Sequence, residues 1–320
     1  MAKKILIVRT SSLGDLVHML PAISDIARYV PEAHIDWVVE EAFAEIPAWH
    51  PKVQRVFTVA HRRWRKNWWQ PQVRAERRAF KEEIGAQHYD VILDMQALMK
   101  SIWVVRQTHG PRHGLNWKSA REPLASLFYQ HKYAVDFWQP AVKRQRLLAS
   151  QVFGYDFKGA PDYGLADFRA RNPVQNYATI MPSASRDDKL WAAEKWHQIF
   201  DYLIEQGLTL RLFAGSEPEV QRAQMLIKDY TGHAQVLPRS SLTEVANQLA
   251  GARVMVGLDS GLTHLSAGLG RPTVGIYKAS TPTRTPLIST AYTASLGDRG
   301  QDPSAQMVLA ATQAALQSES

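Results

Sequence analysis

The 320-residue chain contains no cysteine, which excludes disulfides and thiolate chemistry and fits a reducing compartment. It has no apolar run of roughly 18 residues that would read as a membrane span. Met1-Ala2-Lys3-Lys4 passes directly into a strand-like run without a cleavage-site pattern, so the N-terminus does not read as a signal peptide. The first half offers neither G-x-G-x-x-G nor G-K-[ST], the glycine-rich cradles for phosphate. Asp187 and Asp188 are adjacent rather than spaced as in a D-x-D metal site, and none of the 11 histidines joins carboxylates at metal-ligand spacing.

What the chain does have is ordinary globular usage, 45% hydrophobic and 21% charged, over a length suited to two domains with a cleft between them. The runs KILIVR, HIDWVVE, VQRVFTV and DVILDM alternate with helix-like stretches, the first running from about Gly14 to Tyr29. The pattern restarts near Tyr177 with YATIMPSA, LTLRLFAG, AQVLP, ARVMVGLD and PTVGIYK. Such alternation predicts an α/β chain of two similar halves, each a parallel sheet covered by helices. FRARNPVQN, residues 168–176, lacks a long periodic pattern and is the candidate linker. SAQMVLAATQAALQ reads as a last helix, free to pack on its own half or to cross back.

Ligands in open α/β sheets bind beyond the carboxyl ends of the strands, so the strand-to-helix turns are where chemistry is expected. In RTSSLGD, Asp15 stands at the mouth of the first helix as a cap, a ligand contact or a proton acceptor; a carboxylate facing a phosphate would repel it. In GLDSGLTH, Asp259 or Ser260 caps a helix starting near Gly261, or the small residues and free first-turn amides take a phosphate. His264 faces that turn or packs in the core. In PSASRDDKLW, Ser185 and Lys189 are polar groups suited to donate to an anion. In GSEPEVQ, Glu217 and Glu219 occupy a first helical turn, where carboxylates commonly just match the dipole.

The formal net charge is +8, and residues 61–81 concentrate it: Arg62, Arg63, Arg65, Lys66, Arg74, Arg77, Arg78 and Lys81 stand against Glu76 alone. Trp64, Trp68 and Trp69 interleave with these cations. A solvated helix face, a stacking surface for single-stranded nucleic acid and an anionic membrane interface all fit such a mixture.

SSLGD, WVVEEAFAEIPAWHP, RRWRK, HGLNWKSAREPLASLFY, RDDKLW and DSGLTHLSAGL together resemble the lipopolysaccharide heptosyltransferase I family of glycosyltransferase family 9, from the first strand to about Tyr277. The resemblance implies a GT-B fold, two Rossmann-like doubly wound domains facing a central cleft. Residues 1–170 would bind the acceptor and 171–320 the ADP-heptose. It implies an inverting transfer of L-glycero-D-manno-heptose from ADP-heptose to the first Kdo of Kdo2-lipid A, at the cytoplasmic face of the inner membrane as a peripheral protein. No metal or other cofactor and no nucleic acid is expected. Asp15 matches the family's general base, and Lys189 the cation that balances charge on departing ADP. Donor contacts would come from Ser185, Lys189, Glu219 at the ribose, and Asp259, Ser260, Gly261, Leu262, Thr263 and His264. Arg62, Arg63, Arg65, Lys66 and Arg121 match basic acceptor-side positions. The chain departs from the family pattern at Ala184-Ser185, where a Thr-Thr pair is usual, and at Lys278 to Thr281, which replaces a Gly-Pro-Thr turn. The rivals are a related heptosyltransferase or other sugar-nucleotide enzyme of the same fold, and a non-catalytic polyanion binder.

Overall fold

The computed structural model describes residues 3–183 and 187–318. The chain divides into two compact units, Met1–Gly164 and Leu165–Ser320.

Unit 1 carries β1 (Lys4–Val8), β2 (His34–Glu40), β3 (Val53–Val59), β4 (Val91–Asp94), β5 (Arg112–Leu115) and β6 (His131–Tyr133), in the order β3-β2-β1-β4-β5-β6. Every neighbouring pair is parallel. Ile5 to Val8 are fully buried, as expected of an inner parallel strand covered on both faces. Unit 2 repeats the plan with β7 (Tyr177–Met181), β8 (Thr209–Leu212), β9 (Ala234–Val236), β10 (Val254–Leu258), β11 (Thr273–Ile276) and β12 (Thr293–Leu296), ordered β12-β11-β10-β7-β8-β9. Counted from its own first strand, this is the same order as in unit 1. In both, the direction of winding reverses beside the first strand: between β1 and β4, and between β7 and β10. A ligand crevice opens at such a reversal.

Three expectations need correction. The first helix is two, Leu13–Val17 and Leu20–Tyr29, because Pro21 lacks an N–H and fits only the first turn of a new helix. The candidate linker 168–176 is partly ordered structure: Ala166–Arg171 is a helix, with Phe168 buried, and it packs on helix Leu242–Ala250. Strands β5, β6 and β12 were not foreseen; their sequences RHGL, HKY and TASL lack the apolar run that marks the equally short β4, VILD. The last helix, Ala305–Gln317, packs on helix Ala193–Glu205 and on β11, inside unit 2.

Under the sheet of unit 1, helix Leu20–Tyr29 packs on helix Ala141–Phe153. Their contact encloses an ion pair: Arg146 donates to both oxygens of Asp25 at 2.6 and 3.1 Å and to the Gly159 carbonyl at 3.2 Å. Both side chains are almost wholly buried. Removing one member strands the other charge without solvent, at a cost of about 3–5 kcal/mol. Arg146→Ala should therefore lower the urea midpoint of unfolding by a corresponding amount, and Arg146→Ala combined with Asp25→Ala should recover part of that loss.

Candidate active site

In unit 1 the turns after β1 and β4 are tied together. Gln96 is the tie: its Oε1 accepts from the Thr10 amide at 3.0 Å and the Thr10 hydroxyl at 2.9 Å, while its Nε2 donates to the Ser11 carbonyl at 3.1 Å. Asp94, fully buried, fixes Gln96 in turn by accepting from the amides of Gln96 and Ala97 at 2.8 and 3.1 Å. Its other oxygen accepts from Ser101 and Tyr129, both at 2.7 Å. Burial raises the Asp94 carboxyl above its ordinary range, with these bonds opposing. Tyr129 reaches Asp94 by lying over Gly114, where any Cβ would collide with its ring. Ala97 adopts the left-handed region, φ 52°, with its amide donating to Asp94 and its carbonyl accepting from the Glu122 amide.

On this platform, Asp15 faces two partners. Oδ1 meets Arg9 Nη2 at 2.9 Å, and Oδ2 accepts from the Ser12 amide and hydroxyl at 3.1 and 2.9 Å. The Ser12 bonds form a helix cap, and 39% of the Asp15 side-chain surface remains open. Burial alone would raise the Asp15 carboxyl, but Arg9, His18 and the Ser12 bonds outweigh it and bring the pKa down to about 2. Asp15 is thus ionised at neutral pH, and capping does not exhaust it. Lys100 donates to the Ser11 hydroxyl at 2.6 Å. Burial lowers its pKa, and its charge interacts with Glu40, Arg62, Asp15 and Arg9. Arg9, Gln96 and Lys100 were missed from the sequence; their only signal is a polar side chain just beyond a strand's carboxyl end.

The basic segment is less free than its charge count suggests. Arg63 is clamped between Glu41 and Glu76, at 2.9 and 2.8 Å. Trp64 is buried against Trp103 and Phe80, and donates to Glu76 at 2.7 Å. Arg62, Arg65, Lys66 and Arg121 are exposed.

In unit 2 the centre is Asp259, at the carboxyl end of β10. Lys189 Nζ lies 2.9 Å from its Oδ2 and donates to its carbonyl at 3.3 Å; His264 Nε2 lies 3.2 Å from Oδ1, and the Ser280 hydroxyl donates to Oδ2. Burial would raise the Asp259 carboxyl, yet the bonds from His264 and Ser280 and the Lys189 charge hold it far below the usual range. So Lys189, read from one motif, does meet Asp259 and His264, read from another, and Ser280 joins them from the turn after β11. Ser260 caps helix Gly261–Gly268, accepting from the Thr263 amide at 3.4 Å. This leaves the Gly261 and Leu262 amides as first-turn donors that the helix itself cannot satisfy. Thr263 donates its hydroxyl to the Leu258 carbonyl at 2.6 Å, a close approach that a Cβ at Gly257 would obstruct. Glu219 caps helix Glu217–Leu226 through the amides of Gly215 and Ser216 at 2.7 and 3.0 Å, using Oε2 alone. Ser185 lies outside the described residues. Among the described residues, no group of three or more His, Asp or Glu side chains is arranged to hold a metal ion.

The sequence pattern of glycosyltransferase family 9 (heptosyltransferase) matches residues 77–314. The chain belongs to glycosyltransferase family 9. Within that family it is 43% identical to lipopolysaccharide heptosyltransferase 1 of Escherichia coli (strain K12), over 87% of this chain and 89% of that one. It is 44% identical to the protein of the same name from Pseudomonas aeruginosa, over 87% and 79%. The solved structure of E. coli heptosyltransferase WaaC with ADP superposes with a TM-score of 0.91 at 39% identity, covering 97% of this chain and 99% of that chain. These findings make the chain a glycosyltransferase and its two doubly wound units those of the GT-B fold that the resemblance implies, while the alternation of strands and helices predicts only two similar α/β halves.

The Arg9–Asp15 pair of this family 9 chain has a pH signature. An unfolded aspartate releases its proton near 3.8 and the folded Asp15 near 2, so the pair's contribution is complete above the unfolded value and disappears as pH falls through the folded one. Because Asp15 is partly open to screening solvent, that contribution is no more than about 1 kcal/mol. The stability difference between wild type and Arg9→Gln, measured by urea unfolding, should therefore shrink steadily between about pH 5 and pH 2.

Proposed function

We propose that this glycosyltransferase moves L-glycero-D-manno-heptose from ADP-heptose to the first Kdo of Kdo2-lipid A, with inversion. The observation that carries the reading is Asp15, an ionised, partly open carboxylate at the winding reversal of unit 1, in a chain otherwise matched along its length by heptosyltransferases. A related structure, E. coli heptosyltransferase WaaC with ADP-2-deoxy-2-fluoro heptose, superposes with a TM-score of 0.87 and supports ADP-heptose as donor.

In this reading unit 1 supplies the base and the acceptor's cations, and unit 2 holds the donor. The Kdo hydroxyl attacks the anomeric carbon as the bond to ADP breaks, the electron pair leaves with the diphosphate, and the hydroxyl proton passes to Asp15. With a pKa of about 2, Asp15 is a weak base towards a resting alcohol. It suffices once the new carbon–oxygen bond has begun to form, because the attacking oxygen then becomes strongly acidic, so proton transfer runs late in the step. Arg9 keeps the carboxylate ionised and aimed. Lys189, oriented by Asp259, faces the negative charge that grows on the diphosphate, joined by the first-turn amides of Gly261 and Leu262 and the positive end of their helix. Both oxygens of Asp259 already accept bonds from side chains, so a sugar hydroxyl would share Oδ1 with His264. Glu219 has Oε1 to offer the ribose while Oε2 caps its helix. Arg62, Arg65, Lys66 and Arg121 would meet the carboxylates and phosphates of the acceptor; Arg63 would act mainly by bracing that arm through its two carboxylates.

The test is ADP release from ADP-heptose with and without delipidated Kdo2-lipid A, with the product weighed by mass spectrometry. Acceptor-dependent release with one heptose added is expected; release of ADP without an acceptor product would refute the reading. Asp15→Ala should lower kcat by roughly 10²–10⁴-fold with ADP affinity nearly unchanged. Lys189→Ala should weaken donor binding and lower kcat together, and an unaltered kcat would remove Lys189 from the role of leaving-group stabiliser.

A further inference from the structure

Lys189, the cation assigned above to the leaving group, stands on a backbone with little support of its own. It closes the 3-10 turn Asp187–Lys189, three residues long, and so short a turn holds its shape only through outside contacts. Leu190 follows it. Among the described residues no backbone amide donates to the Leu190 carbonyl, and helix Ala193–Glu205 begins three residues on. The bond which that carbonyl accepts comes from a side chain, the Lys278 ammonium, at 3.0 Å. Trp191, next in sequence, is buried and donates its indole N–H to the Pro303 carbonyl at 3.1 Å.

Lys278 reaches this carbonyl from another part of the sheet. It stands two residues beyond β11, while Lys189 belongs to the connection after β7, and β10 lies between those strands. β11 and β7 are thus roughly 10 Å apart at the usual strand spacing. Their backbones are too far apart to bond, and a long side chain bridges the gap. The base of Lys278 is itself held: its carbonyl accepts from the Gly300 amide at 2.9 Å, and the Tyr277 amide before it donates to the Leu296 carbonyl at 2.7 Å. From the same turn Ser280 donates to Asp259, the carboxylate that pairs with Lys189. Lys278 and Ser280 therefore hold the two members of one ion pair, the cation through the backbone that carries it and the anion through its own oxygen.

We infer that Lys278 is a positioning residue for Lys189: its bond to the Leu190 carbonyl fixes the backbone from which Lys189 reaches Asp259 and faces the donor diphosphate. A cation stabilises developing charge best where its distance and direction are set beforehand, and a 3-10 turn released at one end lets the ammonium drift from that place. The inference rests on the role proposed for Lys189. Lys278 also lines a cavity of about 560 Å³ with Asp188, Ala279, Arg299, Gly300 and Asp302. The Arg299 guanidinium brings an equal charge to that cavity and, among the described residues, makes no hydrogen bond or ion pair. Arg299 therefore separates the effect of charge in the cavity from the effect of the Lys278 bond.

The full-length protein is tested by calorimetric titration with ADP and by kcat on ADP-heptose with delipidated Kdo2-lipid A. Lys278→Met should lower ADP affinity and kcat each about three- to tenfold, within the range that a charge-assisted hydrogen bond supports. Lys278→Arg, which can still donate to a carbonyl, should recover most of both, and Arg299→Met should keep wild-type values. Lys189→Ala combined with Lys278→Met should be no worse than Lys189→Ala alone, because a residue that acts through another loses its effect once that other is gone. Losses that add in the double variant, an Arg299→Met loss equal to that of Lys278→Met, or an unchanged Lys278→Met would overturn the inference. Acceptor-dependent transfer by the wild type, together with additive losses, would overturn the positioning role and leave the reaction standing. The expected non-additivity in ADP affinity, with no heptose transferred, would sustain the positioning role and overturn the reaction.

Discussion

Everything about the candidate base depends on one side chain, Gln96, bridging two strands past the point where their backbone ladder ends. β1 and β4 pair only as far as Val8 and Asp94. Beyond them the chains diverge, as they must where winding reverses, and the polar groups of Thr10 and Ser11 would otherwise hang in the crevice. Gln96 satisfies three of them at once, and buried Asp94 anchors its backbone. A primary amide suits this task because it accepts and donates simultaneously; a carboxylate there would face the Ser11 carbonyl without a proton to offer.

Around that tie, charge is arranged so that opposite signs are spent in different ways. Arg146–Asp25 and Arg63 with Glu41 and Glu76 hold elements together. Arg9–Asp15 and Lys189–Asp259 instead sit at strand ends, partly open, with a carboxylate kept ionised in each. The two units thus place the same kind of pair at the winding reversal of the same topology, both partners following the first strand in unit 1, and Lys189 following the first strand and Asp259 the fourth in unit 2. In unit 1 the carboxylate is the more open member, which suits taking a proton. In unit 2 the carboxylate is surrounded by donors, which suits orienting the cation.

Much of this was legible in the sequence. Short apolar runs such as ILIV and VMVGL, bounded by polar turns, fit strands covered on both faces, and the turns that follow such strands name Asp15, Lys189 and Asp259. Other readings failed for identifiable reasons. Trp64 looks like its neighbours Trp68 and Trp69 in sequence, but helix Pro71–Gly85 brings Glu76 back against its indole and covers it. Pro21 divides a helix whose apolar pattern runs on without a break. Ser280 lies 21 residues from Asp259 and nothing local marks it as a partner.

The sequence by itself determined the α/β class, the two repeated halves, the motifs of family 9 and the positions of the polar turns, because apolar periodicity and turn chemistry are local properties. Only the tertiary structure decided which cations are free and which are clamped, which tryptophans are core, and which side chains from distant turns meet at Asp15 and Asp259. Those outcomes follow from strand order, and strand order is set by the packing of whole elements against one another, which no short window of residues contains.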